Sequence, residues 1–194
     1  EIPYYGVIDK QGTTILEAEY TRLNDQDLEF GGDNTLHLSS HGLSTMTLNQ
    51  QGQELTGVFN KERIVLPAQY KKVKINEETI SALREDNQWE IYTPEGSLIT
   101  TISSLDDEDY SNVILTQDKL IVVKETVTDF GTQIDYGLAD QDGTILLPAA
   151  YSQISYQDEK WHLEKYDETT NTILKAVMSD TGEVIIPFDN GYDE

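Results

Sequence analysis

Cysteine is missing from this chain. Its absence excludes disulfides, thiol nucleophiles and thiolate metal sites. Histidine is close to missing, with three residues, His37, His41 and His162. Basic side chains are scarce as well: 13 stand against 36 acidic ones, a net charge of -23. Residues 1–97 carry -8 of it and residues 98–194 carry -15. A field of that sign repels phosphate backbones and anionic headgroups, which argues against nucleic acid and against membrane contact by this segment. No apolar run approaches the ~18 residues a membrane helix needs. Nor does any stretch stay apolar at helical spacing over three turns, so no helix is expected. The chain opens at Glu1 and not at Met. That fits loss of an export signal or anchor, or a piece of something longer.

What the chain has is repetition. Residues 5–20 read YGVIDKQGTTILEAEY, and residues 136–151 read YGLADQDGTILLPAAY. Five glycines close similar tetrads: Asp9-Lys10-Gln11-Gly12, Asn49-Gln50-Gln51-Gly52, Thr93-Pro94-Glu95-Gly96, Asp140-Gln141-Asp142-Gly143 and Ser179-Asp180-Thr181-Gly182. Each begins with a short hydrogen-bonding side chain, which a type I turn wants at its first position. Each ends with the residue that takes φ > 0 without a Cβ clash. The tetrads therefore read as bulged hairpin tips. A sixth copy, Phe59-Asn60-Lys61-Glu62, lacks the glycine and reads as a turn one residue shorter. The strand leaving the tip is expected to end at Pro67, Pro148 or Pro187, because proline cannot donate to a ladder.

A second anchor is Tyr-x-x-aliphatic, at Tyr20, Tyr70, Tyr110 and Tyr151, with Tyr192 opening another copy. The period is about forty residues, the range of four-stranded repeats. Between anchors lie apolar strand candidates: Leu36-His37-Leu38, Ile80-Ser81-Ala82-Leu83, Leu120-Ile121-Val122-Val123 and Trp161-His162-Leu163. The expected fold is all-β, a single domain over 1–194 built of four-stranded antiparallel meanders. A half-unit occupies 1–19, and units start near 20, 70, 110 and 151. An additional hairpin is expected as an insertion near 43–57, and a smaller insertion near 105–109. Both ends supply the same half of a unit. That favours an open, curved, solenoid-like stack over a five-bladed propeller-like ring.

These residues resemble the bacterial WG, or KWG, repeat family. Its motif runs from an aromatic-Gly pair through an Ile-Asp-x-x-Gly turn and Val-Ile-Pro to an aromatic. Tyr5-Gly6, Ile8-Asp9, Gly12 and Tyr20 match one copy. Tyr136-Gly137, Asp140, Gly143, Leu147-Pro148 and Tyr151 match another. Gly182 with Ile185-Ile186-Pro187 matches the back half of a third. Tyrosine replaces the name-giving tryptophan, and residues 43–66 and 89–100 are degenerate. The resemblance implies a bacterial, often multi-domain or surface-associated protein whose repeats mediate interactions. It supplies no catalytic residue.

Little else points to chemistry. His37 and His41 are spaced like zinc ligands on a helix, but they sit in a strand-to-loop stretch without an acidic third ligand. Ser39, Ser40 and Ser44 lie near His41 without a nucleophile elbow. Alternation puts His162 on the face opposite Trp161 and Leu163, toward solvent. Glu17 and Glu19 share a strand face and mimic a glycosidase pair, yet with 36 acids such pairs arise by chance. The acidic stretch Asp106 to Asp109 could hold Ca²⁺ weakly; a solvated loop is the simpler reading, since Ca²⁺ needs six or more converging oxygens. The Asp140–Gly143 turn is no EF-hand loop, because Leu138 and Ala149 occupy its first and twelfth ligand positions. One basic island, Lys61, Arg63, Lys71, Lys72 and Lys74, either pairs with acidic neighbours or docks an acidic partner. The expectation is a non-enzymatic, cofactor-free binding module at a bacterial surface or in an exported compartment. Its partner would be a protein or a cell-envelope polymer. A structural spacer and a glycan hydrolase are the alternatives.

Overall fold

The computed structural model describes residues 3–24, 38–39, 41–103, 105, 110–129 and 131–189. Within them every regular element is a strand. β1 (Tyr5–Ile8) and β2 (Thr14–Tyr20) form a two-stranded sheet. β3 (Arg22–Leu23), β4 (Leu43–Gln50), β5 (Gln53–Asn60) and β6 (Ile64–Tyr70) form a four-stranded meander. So do β7 (Lys72–Ile75), β8 (Ile80–Leu83), β9 (Trp89–Tyr92) and β10 (Leu98–Ile102). A third meander contains β11 (Asn112–Thr116), β12 (Lys119–Thr128), β13 (Gly131–Asp140) and β14 (Ile145–Tyr151). The fourth contains β15 (Gln153–Gln157), β16 (Lys160–Asp167), β17 (Thr172–Ser179) and β18 (Val184–Asp189). The strands pair antiparallel in β1–β2, β3–β6, β7–β9, β11–β14 and β15–β18. The chain divides into two compact units, Glu1–Thr101 and Ile102–Glu194.

The anchor tyrosines mark the joints. Tyr20, Tyr70 and Tyr110 are buried, and Tyr151 is half-buried. The residue after each donates its backbone N–H into the second strand of the next meander. These bonds are Thr21 to Thr47 O, Lys71 to Leu83 O, Ser111 to Val123 O and Ser152 to Glu164 O, all 2.8 Å. At Tyr20, Tyr70 and Tyr151 one sheet ends and the next begins two residues on.

Within each unit, successive sheets pack face to face. In the first unit Leu23, Met46 and Phe59 pack back on Leu16 and Tyr20. From the opposite face Leu43, Val58 and Leu66 meet Val73, Ile80, Ala82 and Tyr92 of the next sheet. In the second unit Ile154, Trp161, Leu163, Ala176 and Met178 pack back on Ile121, Val123 and Leu138. β8 and β9 are buried at all four positions and show no polar alternation.

Three expectations need correction. The hairpin near 43–57 is no insertion: β4 and β5 are the central strands of their sheet, paired over eight positions from Leu43↔Asn60 to Gln50↔Gln53. Burial of Leu43, Met46, Leu55 and Val58 makes it core. The Gly52 turn also differs from the other four. It is a two-residue turn with Gln51 at φ 55° and Gly52 at φ 90°, the type I′ pattern that matches strand twist. Finally, the strands do not stop at proline. β6, β14 and β18 run through Pro67, Pro148 and Pro187. Each is an outer strand of its sheet, where a missing N–H is tolerated. Leu36, His37, Tyr192 and the Asp106–Asp109 loop lie outside the described residues.

Candidate functional site

The site is easiest to build from a glycine. Gly12, Gly96, Gly143 and Gly182 close the hairpin tips with φ between 86° and 96°. In each, the first tetrad residue donates to the residue four further on, as Asp140 N does to Thr144 O. At the glycine-free copy Asn60 N bonds Arg63 O, one residue sooner. Gly6, Gly57 and Gly137 do something different. Their strands pair with a neighbour that carries two extra residues: Tyr136↔Tyr151 is followed by Leu138↔Leu147. The same step occurs at Tyr5/Val7 and Thr56/Val58. The surplus folds across the glycine. A Cβ on Gly137 would lie 2.7 Å from Leu147 O and 2.8 Å from Ala149 N. At Gly57 the distances are 2.6 Å to both Leu66 O and Ala68 N. This close approach is the physical reason for the glycine after the aromatic. The fourth meander has Ala176 there, and its bulge is one residue smaller: Lys175↔Asp189 is followed by Val177↔Ile186.

In the β7–β10 sheet the position is Glu90. The cross-strand rows Val113–Val122–Gly137 and Val73–Ala82–Glu90 are equivalent. Trp89 stands where Tyr136 stands. A glutamate cannot occupy a space that excludes a methyl group. β10 stops at Ile102, six residues after Gly96, whereas β14 runs eight past Gly143.

Glu90 is buried, and its carboxylate is fully engaged. Tyr92 Oη–H donates to Oε2 at 2.6 Å. Arg84 Nη1 donates to Oε1 at 3.1 Å, while Arg84 Nη2 lies 3.1 Å from Asp86 Oδ2. Tyr70 and Tyr92 hydroxyls are 2.8 Å apart. Because the Tyr92 proton goes to Glu90, Tyr70 is the donor there. Gln69 Nε2 then donates to the Tyr70 oxygen at 3.1 Å. The result is a directional chain, Gln69 to Tyr70 to Tyr92 to Glu90, closed by Arg84. Burial, then the bonds with Glu90 and Tyr70, push the Tyr92 phenol far above its ordinary value. The hydrogen bond with Glu90, then the charge of Asp86, raise the Arg84 guanidinium.

This network lines a cleft of about 740 Å³ in the first unit, with Gln50, Leu55 and Gln69 on one sheet and Arg84, Asp86 and Glu90 on the next. Two turns frame it. Gln53 Nε2 reaches Glu85 Oε1 at 2.8 Å, tying the β4–β5 turn to the β8–β9 turn. In the latter Asn87 takes φ 64°, the role glycine has at the tips. Such a cleft can bind a polar ligand through directional donors and acceptors.

The basic island is not one surface. Arg63 Nη2 donates to Glu95 O at 2.8 Å, at the tip after β9. Lys71 Nζ donates to Asn87 Oδ1 at 2.7 Å, in the turn before β9. Lys72 and Lys74 lie half-buried on β7, and Lys61 is exposed at the β5–β6 tip. His41 sits in the loop closed by Gly42 N to Ser39 O. Among the described residues no cluster of acidic and histidine side chains has metal-site geometry. Sequence reasoning missed Gly57 and Glu90. The signals were Leu66-Pro67-Ala68-x-Tyr70, matching Leu147-Pro148-Ala149-x-Tyr151, and Trp89 in the place of Tyr136.

Residues 5–25 match the model of a family described as WG containing repeat, consistent with a WG β-repeat. No curated protein matches the chain. Similar solved structures include the computationally designed Ika8 protein, at TM-score 0.41 and 8% identity over 94% of this chain and 54% of that one. HIRA(644-1017) gives TM-score 0.39 and 11% identity over 78% of this chain and 46% of that one. The computationally designed Ika4 protein gives 0.37 and 6% over 78% and 88%. The chain spans about half the length of the first two.

Proposed function

We propose that this repeat module binds a partner without catalysing a reaction on it, and that the Arg84–Glu90–Tyr92 cleft is where binding occurs. The observation that carries the reading is Glu90 itself. A buried carboxylate has taken a position where the four other sheets carry glycine or alanine, and the closed bulge is given up for an open polar cleft. Burying a charge with its partners adds little to stability compared with an apolar core, which supports a role in recognition. The partner class is a protein or cell-envelope polymer at a bacterial surface or in an exported compartment. The resemblance to WG repeats supports that location. The charge of -23 weighs against nucleic acid.

Co-sedimentation with purified insoluble bacterial cell-wall polymer, and with envelope proteins, tests the reading. Wild type should be retained by one of them. Arg84→Ala combined with Glu90→Gly should lose most of that retention, roughly tenfold or more, while keeping its far-UV spectrum. Equal retention of the variant would remove the cleft from the proposal. Release of soluble sugar would turn it toward a hydrolase, and no retention at all toward a spacer.

A further inference from the structure

The two faces of the β15–β18 sheet differ in chemistry. Its inner face is apolar and packs on β11–β14, whose receiving face comprises Ile121, Val123 and Leu138 with Ile114, Tyr136, Leu147 and Tyr151 around them. The registers give the counterpart of that receiving face on β15–β18, residue by residue. Val113–Val122–Gly137 corresponds to Ile154–Leu163–Ala176, so Ile114 corresponds to Ser155 and Ile121 to His162. Val123 corresponds to Glu164 and Tyr136 to Lys175. Across the bulge Leu147 corresponds to Ile186 and Tyr151 to Asp189. Leu138 and Leu147 keep aliphatic counterparts, Val177 and Ile186. The other five apolar positions have become polar or charged.

We infer that the outer face of β15–β18 is a cap: it is built to refuse the stacking of a further four-stranded sheet. Repeat sheets adhere by burying such faces, and a polar outer face is how a terminal repeat stays soluble. Covering this one would desolvate the Lys175–Glu164 ion pair, 2.8 Å long with 64% and 25% of the side chains exposed. It would also seal in His162, whose Nε2 is already shielded from water with no hydrogen-bond partner. Nothing in an apolar sheet could partner either group, and buried polar groups without partners oppose association. The open face keeps a shallow recess of about 590 Å³ over Val177 and Ile186, bordered by Ser155, His162 and Glu164. Its side chains carry this property whatever follows Asp189.

Sedimentation velocity on the full chain tests the cap. Ser155→Ile, His162→Ile, Glu164→Val and Lys175→Tyr together restore the receiving face. The variant should self-associate with rising concentration where wild type does not. A folded variant that sediments like wild type at every concentration would overturn the inference. So would wild-type self-association that Glu164→Val abolishes. If the fourfold variant does not fold, a pair of single substitutions decides. Ile121→His should lower Tm by roughly 5 °C or more, because that position is core. His162→Ile should leave Tm unchanged or raise it. An equal drop from both would mean that the two faces are equivalent, and the cap would be wrong.

Discussion

In the β11–β14 sheet the outer strand folds across Gly137. In the β7–β10 sheet the same position holds Glu90, and a cleft stands open on that face. Strand order is identical, and the registers of the inner strands coincide. One side chain accounts for the difference, through excluded volume on one side and a charge requiring partners on the other. The comparison teaches that a repeat can hold either a closed bulge or a polar cleft at one register position without changing the order of its strands.

The sharpest way to break that comparison is to write the open sheet's residue into the closed one. Gly137→Glu should destabilise the second unit by at least about 3 kcal/mol, from overpacking against Leu147 and Pro148 plus an unpaired buried carboxylate. Trp161 lies in that unit and Trp89 in the other, so single-tryptophan backgrounds report each separately in denaturant. If the Trp161 transition does not move, the glycine argument fails. A smaller effect is expected at the tip: Gly143→Val should cost about 1–2 kcal/mol at φ 96°. Gly143→Asn should cost less, since Asn87 already adopts that conformation in the open sheet. Equal losses for Val and Asn in thermal unfolding would contradict a left-handed requirement. The smallest effect belongs to the network. The raised Tyr92 phenol contributes stability that is complete below the ordinary phenol value near pH 10 and is lost as pH climbs toward the folded value. Tyr92→Phe should cost about 1 kcal/mol at neutral pH and flatten the alkaline loss of the first unit. An unchanged alkaline limb, followed through Trp89, would detach Tyr92 from it.

Much of the architecture was legible in residue types with strong local preferences. Glycine after a turn-forming side chain marked four tips, and tyrosine marked every joint among the described meanders. Gly52 misled because a two-residue turn and a bulged tip both end in glycine; only the pairing of β4 with β5 tells them apart. Gly57 was hidden by a tip one residue shorter, which shifted its copy out of frame. The candidate site was far less legible. Glu90 is one of 36 acids, and its meaning comes from what its neighbours carry at the same register. Lys71 and Arg63 looked like one island because they are close in sequence, but antiparallel strands send them to opposite ends of β9.

The sequence by itself determined the strands, the period and the tips, because those follow from φ preferences and side-chain chemistry acting over a few residues. Only the tertiary structure decided which glycines are tips and which are crossings, where a carboxylate is buried, and which face of the last sheet is left polar. Those depend on contacts between strands distant in the chain, which preferences acting over a few residues do not encode.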